Sequence, residues 1–332
     1  MSDKDKMFTL VQKYLLDVPV ILMGTGVTVP MGIPGMWKLS EHLKQSLNHN
    51  YGHSDDWKSV VADMDAGVDL ENSLTGKNLS DELLKDIALK TWKFINDADL
   101  KLLSNRKNCE PFRNLSELIY RLYDTSKKNV NIITTNYDRA IEYACDIKGL
   151  SVDKRFEGTY IKTFSSSELK SKNIVNLFKI HGCLDLFSDE DGFIFSIPLQ
   201  HFPLDGLTPA IIAPGTSKYE SVLVGNYNRS ILNNVDNVIN DATCYLCYGY
   251  GFNDSHIQQP ILAEIAKGKS IVVVALEVSN ETIRLIKKHS NNFIIIQKDL
   301  MDNGKTKFII TDVETTVDGD YWSLGGFLSM LI

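Results

Sequence analysis

Several short segments of this 332-residue chain carry residue types that could hold a phosphorylated ligand or move a proton. Gly24-Thr-Gly-Val-Thr28 follows the apolar run Val18–Met23. Glycines at such a point let the backbone approach a pyrophosphate, and a following helix would offer N–H groups to its charge. The full dinucleotide fingerprint is absent, because position 29 is Val and the next glycine is Gly32. The same residues also make an ordinary tight turn. In Ile132-Ile-Thr-Thr-Asn-Tyr-Asp138 a strand pattern ends in polar residues, so Asn136 and Asp138 either face a ligand or cap the next helix. Leu177-Phe-Lys-Ile-His-Gly182 sets His181 at the end of another apolar run, where an imidazole can act as a general base near neutral pH. Tyr248-Gly-Tyr-Gly-Phe-Asn-Asp-Ser-His256 is a second glycine turn; Asn253 and Asp254 in it either bind ligand or cap a helix. Ile271–Glu277 ends in a carboxylate that either holds ribose hydroxyls or is a solvated strand terminus. Cys244-Tyr-Leu-Cys247 has CxxC spacing but no second pair, and it lies inside a strand-like run. Zinc needs four ligands and redox CxxC motifs sit at helix N-termini, so these two thiols read as core.

The elements that must position these residues alternate. Strands are expected at Val18–Met23, Val130–Thr134, Ile174–Lys179, Thr243–Tyr248, Ser270–Leu276 and Asn292–Ile296. Helical periodicity marks Asp81–Ser104, Pro111–Tyr123, Asp138–Ile147, Tyr219–Ile239, Ile257–Lys267 and Asn280–Lys288. This alternation predicts an α/β fold with a doubly wound parallel sheet, in which ligands sit beyond the carboxyl ends of the strands. The stretch 38–128 is mostly helical and reads as an insertion or small second lobe within one domain over 1–332, with a C-terminal extension at 303–332. Phe187–Pro214, rich in Asp, Gly and Pro, reads as a long loop with short strands.

Composition narrows the function. With 43% hydrophobic and 23% charged residues the chain can bury a large core. No apolar run approaches the roughly 20 residues needed to cross a bilayer, and Met1–Met7 has no signal-peptide pattern, so a cytoplasmic protein is expected. Five cysteines are an odd number and argue against a disulfide framework. A net charge of −7 without a Lys/Arg cluster argues against direct nucleic-acid binding.

In order and spacing, Gly24-Thr-Gly-Val-Thr28 with Gly32-Ile-Pro34, Thr134-Thr-Asn-Tyr-Asp138, His181-Gly182 and Gly249-Tyr-Gly-Phe252 resemble the motifs of the sirtuin family, over about residues 18–280. There are departures. Sirtuin protein deacylases usually carry two CxxC pairs of a zinc module after the His-Gly, and that double pair is absent between Gly182 and Gly249. Met36-Trp37 stands where the family has Phe-Arg, and Thr135 where it has Gln. These features resemble the prokaryotic sirtuin-like domains of antiphage defence, which hydrolyse NAD; the segment beginning Asp318-Gly-Asp-Tyr-Trp322 is similar to endings in that group.

The resemblance implies a Rossmann-like fold with NAD as substrate and no zinc. By it Asn136 orients a water or the nicotinamide ribose, and His181 contacts ribose hydroxyls or acts as base. Asp138 bonds the nicotinamide carboxamide. Gly24, Gly26 and Thr28 hold the pyrophosphate, Gly249, Gly251 and Glu277 the adenosine side, and Thr25, Ile33, Pro34 and Phe252 complete the NAD site. An NAD glycohydrolase is thus expected. A binding sensor without turnover is the rival from another class, and a protein deacylase ranks last. A toxic hydrolase must be restrained, so the resemblance further implies a homo-oligomer, a HerA-type ATPase or another defence partner.

Overall fold

Strands β1 (Val20–Met23), β2 (Asn129–Thr134), β3 (Val152–Asp153), β4 (Phe156–Glu157), β5 (Lys162–Phe164), β6 (Ile174–Lys179), β7 (Gly182–Ser188), β8 (Ile194–Ser196), β9 (Thr208–Ile211), β10 (Cys244–Tyr248), β11 (Ser270–Ala275), β12 (Phe293–Lys298), β13 (Lys305–Ile310) and β14 (Val313–Asp318) form two sheets. This computed structural model describes residues 2–15, 17, 19–125, 128–212 and 226–331. Val18, Pro214 and the first residues of the helix expected from Tyr219 lie outside them.

The main sheet runs β14-β13-β12-β11-β10-β1-β2-β6-β3. Its strands from β12 to β3 are parallel. Helices cover both faces, so the central strands are apolar throughout rather than alternating. In β1, Val20 and Leu22 enter one core with Trp57, Phe178 and Tyr245. Ile21 and Met23 enter the other, with Trp92, Phe112 and Leu246. The fold is the doubly wound α/β arrangement that the strand and helix alternation predicts.

The helices follow from their patterns. They are α1 (Asp3–Tyr14), α2 (Thr25–Thr28), α3 (Met36–Tyr51), α4 (Asp55–Asp65), α5 (Leu70–Leu74), α6 (Asp81–Asn105), α7 (Glu110–Thr125), α8 (Ala140–Ile147), α9 (Asn226–Asp241), α10 (Ser255–Ala266), α11 (Asn280–His289) and α12 (Leu324–Met330). The stretch between β1 and β2 is filled by α3 to α7. Its long member α6 starts where the Ser80 hydroxyl accepts from the Leu83 amide. Leu83, Leu84 and Ile87 then join one core, Ala88, Trp92, Ile95 and Leu102 the other.

Two features depart from the sequence expectation. The segment from Phe187, read as a long loop with short strands, does supply the short strands β8 and β9, but these join a second, antiparallel sheet, β4-β5-β8-β7-β9, that the pattern did not predict. Strands of two to seven residues give too little period to read. The C-terminal stretch adds the antiparallel strands β13 and β14 to the edge of the main sheet.

Register decides where the chemistry goes. Met23 is level with Thr134 on one side and Tyr248 on the other, Thr134 with Lys179, and Tyr248 with Val274. The segments that follow these residues therefore leave the sheet along a single edge.

Candidate active site

Both glycine turns lie at that edge, packed backbone to backbone. A Cβ on Gly24 would lie 2.4 Å from the Gly249 carbonyl oxygen, and one on Gly26 2.7 Å from Gly249 Cα. Gly249 itself has a φ of +57° and would meet the Gly26 carbonyl carbon at 2.6 Å. The amides of Gly24 and Gly26 already donate to the carbonyls of Tyr248 and Gly249, each at 3.1 Å. These glycines are thus required by the contact between the two turns, and their amides serve that contact rather than standing open to a pyrophosphate. The helix expected after the turn is the single turn α2, ended by the 3₁₀ turn Val29–Met31.

Asn136 straps the ends of β1 and β2 together. Its Nδ2 donates to the Gly24 carbonyl at 3.1 Å, and its amide donates to Thr134 Oγ1, which in turn donates to the Met23 carbonyl at 2.7 Å. Its Oδ1 is buried with no partner among the described residues. Leaving a carbonyl so costs about 1–3 kcal/mol, which makes it a place for a water or ligand donor.

Asp138 follows on the same loop, 3% exposed. Its Oδ2 accepts from the Thr28 hydroxyl at 3.1 Å and its Oδ1 accepts from the Ala140 amide, the first of α8, at 3.1 Å. Burial pushes this carboxyl up to about 6, against the pull of the Lys179 ammonium. Lys179, at the end of β6, donates to the carbonyls of Asn136, Tyr137 and Asp138 and so clamps the loop. Burial works against its charge, yet Cys183, Glu142 and Asp138 raise its pKa to about 12.

His181 stands where the chain leaves the main sheet for the second one. Gly182 makes the joint, with a φ of +84° and so little room that a Cβ would lie 2.1 Å from the Ala210 carbonyl oxygen. The His181 Nε2 is 2.8 Å from Asp254 Oδ2.

Asn136, Asp138 and His181 line a cavity of about 290 Å³ together with Gly24, Thr25, Ile33 and Pro34. Its remaining wall includes Met36, Leu39, Glu71 and Ile95 from α3, α5 and α6, together with Tyr137, Ile212, Tyr250 and Asp254. Thr25, Tyr250 and Gly251 also line a second cavity, of about 1110 Å³, which holds Gly26, Gly249 and Glu277. Glu110, Asn114, Asp320, Trp322 and Ser323 close its far side.

A family profile described as "SIR2-like domain" matches residues 130–295, half of the chain. The chain belongs to the SIR2-like family. No curated protein matches the sequence. Among solved structures, this SIR2-like protein is similar to Sir2Tm bound to a propionylated peptide, at 12% identity over 88% of this chain and 92% of that one, with a TM-score of 0.45. It is also similar to a Sir2 homologue in complex with NAD (13% identity, 89% and 88% covered, TM-score 0.43). A third similar structure, described as the basis for the mechanism and regulation of Sir2 enzymes, is 10% identical over 99% and 98% of the chains, with a TM-score of 0.48.

In this SIR2-like protein the residues singled out from the sequence divide into three groups. Gly24, Thr25, Ile33, Pro34, Asn136, Asp138, His181 and Gly251 line the smaller cavity; Gly26, Gly249 and Glu277 line the larger one. Thr28 and Phe252 line neither. Thr28 is fully buried behind Asn136 and Asp138, and Phe252 is a core side chain, 3% exposed and packed on Tyr250. Cys244 and Cys247 are buried, and an i, i+3 pair on a strand points to opposite faces. Glu71 and Glu110 line the cavities with nothing local in the sequence to mark them, and Tyr250, inside the second glycine turn, is not among the residues singled out as lining. Among the described residues no helix is long and apolar enough to cross a membrane.

Two expectations follow from this geometry. Gly24→Ala should lose about 2 kcal/mol or more in urea unfolding, because the clash is with backbone. Gly251→Ala, whose Cβ would meet only the Asn253 side chain at 3.4 Å, should stay within about 0.5 kcal/mol of wild type, although Gly251 lines both cavities. Equal stability losses would show that Gly251 is structural too. The second concerns Asp138. Its folded pKa lies above its ordinary value of 3.8, so its contribution is fully present below about 4 and is lost as pH rises through about 6. Between pH 4 and pH 7 wild type should lose up to about 3 kcal/mol relative to Asp138→Asn. Parallel stability curves for the two proteins would refute this.

Proposed function

We propose that this protein cleaves NAD to nicotinamide and ADP-ribose, and that it does so as a NAD-depleting effector of antiphage defence. Family membership supports an NAD-dependent activity of the sirtuin type. The observation that carries the hydrolytic reading is the smaller cavity, where the unpartnered Asn136 Oδ1 and the His181 imidazole share one enclosure. Cleaving the nicotinamide–ribose bond passes through an oxocarbenium-like state. A positioned water, a base and exclusion of bulk solvent then suffice for hydrolysis. In this reading Asn136 Oδ1 orients the water or the nicotinamide ribose. Asp138 borders the base; both its oxygens are engaged by Thr28 and Ala140, so it would meet the carboxamide only through lone pairs left over. The dinucleotide passes the neck at Thr25, Tyr250 and Gly251, and Glu277 receives the ribose hydroxyls of the adenosine.

Incubating the purified protein with NAD and no peptide, and following nicotinamide and ADP-ribose by chromatography, tests the reading. Stoichiometric release of both supports it. Release only in the presence of an acylated peptide would turn it into a deacylase, and binding without release into a sensor. We further propose that a homo-oligomer, or a partner such as a HerA-type ATPase, restrains the enzyme in the cytoplasm. A monomer by light scattering at all concentrations, with no copurifying partner, would refute that part.

A further inference from the structure

In the proposed hydrolysis His181 is the base, while Asp254, hydrogen-bonded to it, has no task of its own. We infer that Asp254 is the positioning residue of His181, fixing the imidazole as the Nε2–H tautomer so that Nδ1 is the nitrogen that takes the proton of the attacking water. The inference rests on the NAD-hydrolase reading.

Asp254 is itself held firmly. Its Oδ1 accepts from the amides of His256 and Ile257, at 2.9 and 3.4 Å, as the N-cap of α10. That leaves Oδ2 for His181 Nε2 at 2.8 Å. Burial alone would raise this carboxyl, but the hydrogen bond to His181, with the His256 amide, brings it below the usual carboxylate range. An ionised carboxylate only accepts, so the ring nitrogen facing it carries the hydrogen and the other keeps its lone pair. Both residues line the smaller cavity, as do the carboxylates of Glu71 and Asp138 and the phenols of Tyr137 and Tyr250.

The step balances. The glycosidic C–N bond breaks and its electron pair neutralises the pyridinium nitrogen, releasing nicotinamide. The water oxygen bonds the same ribose carbon, and its proton passes to His181 Nδ1 and then to solvent. The imidazolium formed meanwhile sits against the Asp254 carboxylate, which stabilises it.

Asp254→Asn tests this, because Asn caps a helix about as well as Asp and the fold is retained. Spectra of protein labelled with 15N-histidine, with the His181 signal identified by its loss in His181→Ala, should show Nε2 protonated in wild type and a changed tautomer in Asp254→Asn. With NAD, kcat should fall about 10²–10⁴-fold while KM stays within threefold. The double variant should be no slower than His181→Ala alone, since the two residues act as a unit. A kcat within threefold of wild type, losses that multiply in the double variant, or a wild-type His181 protonated at Nδ1 would each overturn the inference. If wild type does not cleave NAD, the hydrolase reading fails by itself. The tautomer comparison then decides whether Asp254 sets His181.

Discussion

Replacing Asn136 by alanine should lower NAD cleavage by about 10²–10³-fold, the usual cost of removing one preorganised polar group from a reacting centre, and leave a folded protein. The two effects separate because of how the side chain is bonded. The substitution removes the hydrogen bonds from Nδ2 to the Gly24 carbonyl at 3.1 Å and, more weakly, to Thr28 Oγ1 at 3.4 Å, together worth about 1–2 kcal/mol. It also removes a buried Oδ1 that has no partner among the described residues, which offsets that loss. Stability should therefore change by about 1 kcal/mol or less, while the cavity loses the amide side chain at the end of β2. Single-turnover release of nicotinamide, set beside a thermal melt of the same preparation, measures both. Turnover within threefold of wild type would remove Asn136 from the chemistry.

Lys179→Met should have the largest effect on stability. The ammonium is 3% exposed and lies 3.4 Å from Glu142, besides donating to three consecutive carbonyls of the 136–138 loop. Lys154 bridges Glu142 and Asp185 at 3.2 and 2.7 Å, so the buried cluster balances two ammonium groups against two carboxylates. Methionine keeps the apolar stem but leaves an uncompensated buried carboxylate, which costs about 3–5 kcal/mol. By comparison Lys6→Met, which removes a solvent-exposed pair with Asp3, should change little. Urea unfolding of the two variants gives the contrast. A loss below about 1 kcal/mol for Lys179→Met would mean that the cluster is hydrated and weakly coupled.

Much of this arrangement is legible in the sequence, for a local reason. Val20–Met23 and Cys244–Tyr248 are apolar at every position because both faces of a central parallel strand are covered. The polar residues after such runs mark its carboxyl edge. Asn136, His181 and Gly251 could be placed from that alone. What stayed hidden depends on partners distant in sequence. His181 and Asp254 lie 73 residues apart and nothing near either one announces the pair. Lys179 sits within a buried strand pattern and shows its three carbonyl partners only when β2 lies beside β6. Trp322 and Asp320 reach the larger cavity because the C-terminal strands extend the main sheet and turn α12 back toward it. The glycines were legible as residues but not for their reason, since a gap fit for a ligand and a gap filled by another turn demand the same residue.

The interlocked turns also bear on how this sequence can drift. No residue with a Cβ fits at 24, 26 or 249 while the opposite backbone stays in place, whatever becomes of the activity. A lineage that stopped turning over its substrate would keep all three glycines as long as it kept the fold. Asn136, if its removal costs as little stability as expected, would be free to change. In comparing relatives, these three preserved glycines are therefore a marker of architecture, and decayed members are to be sought by the loss of the asparagine.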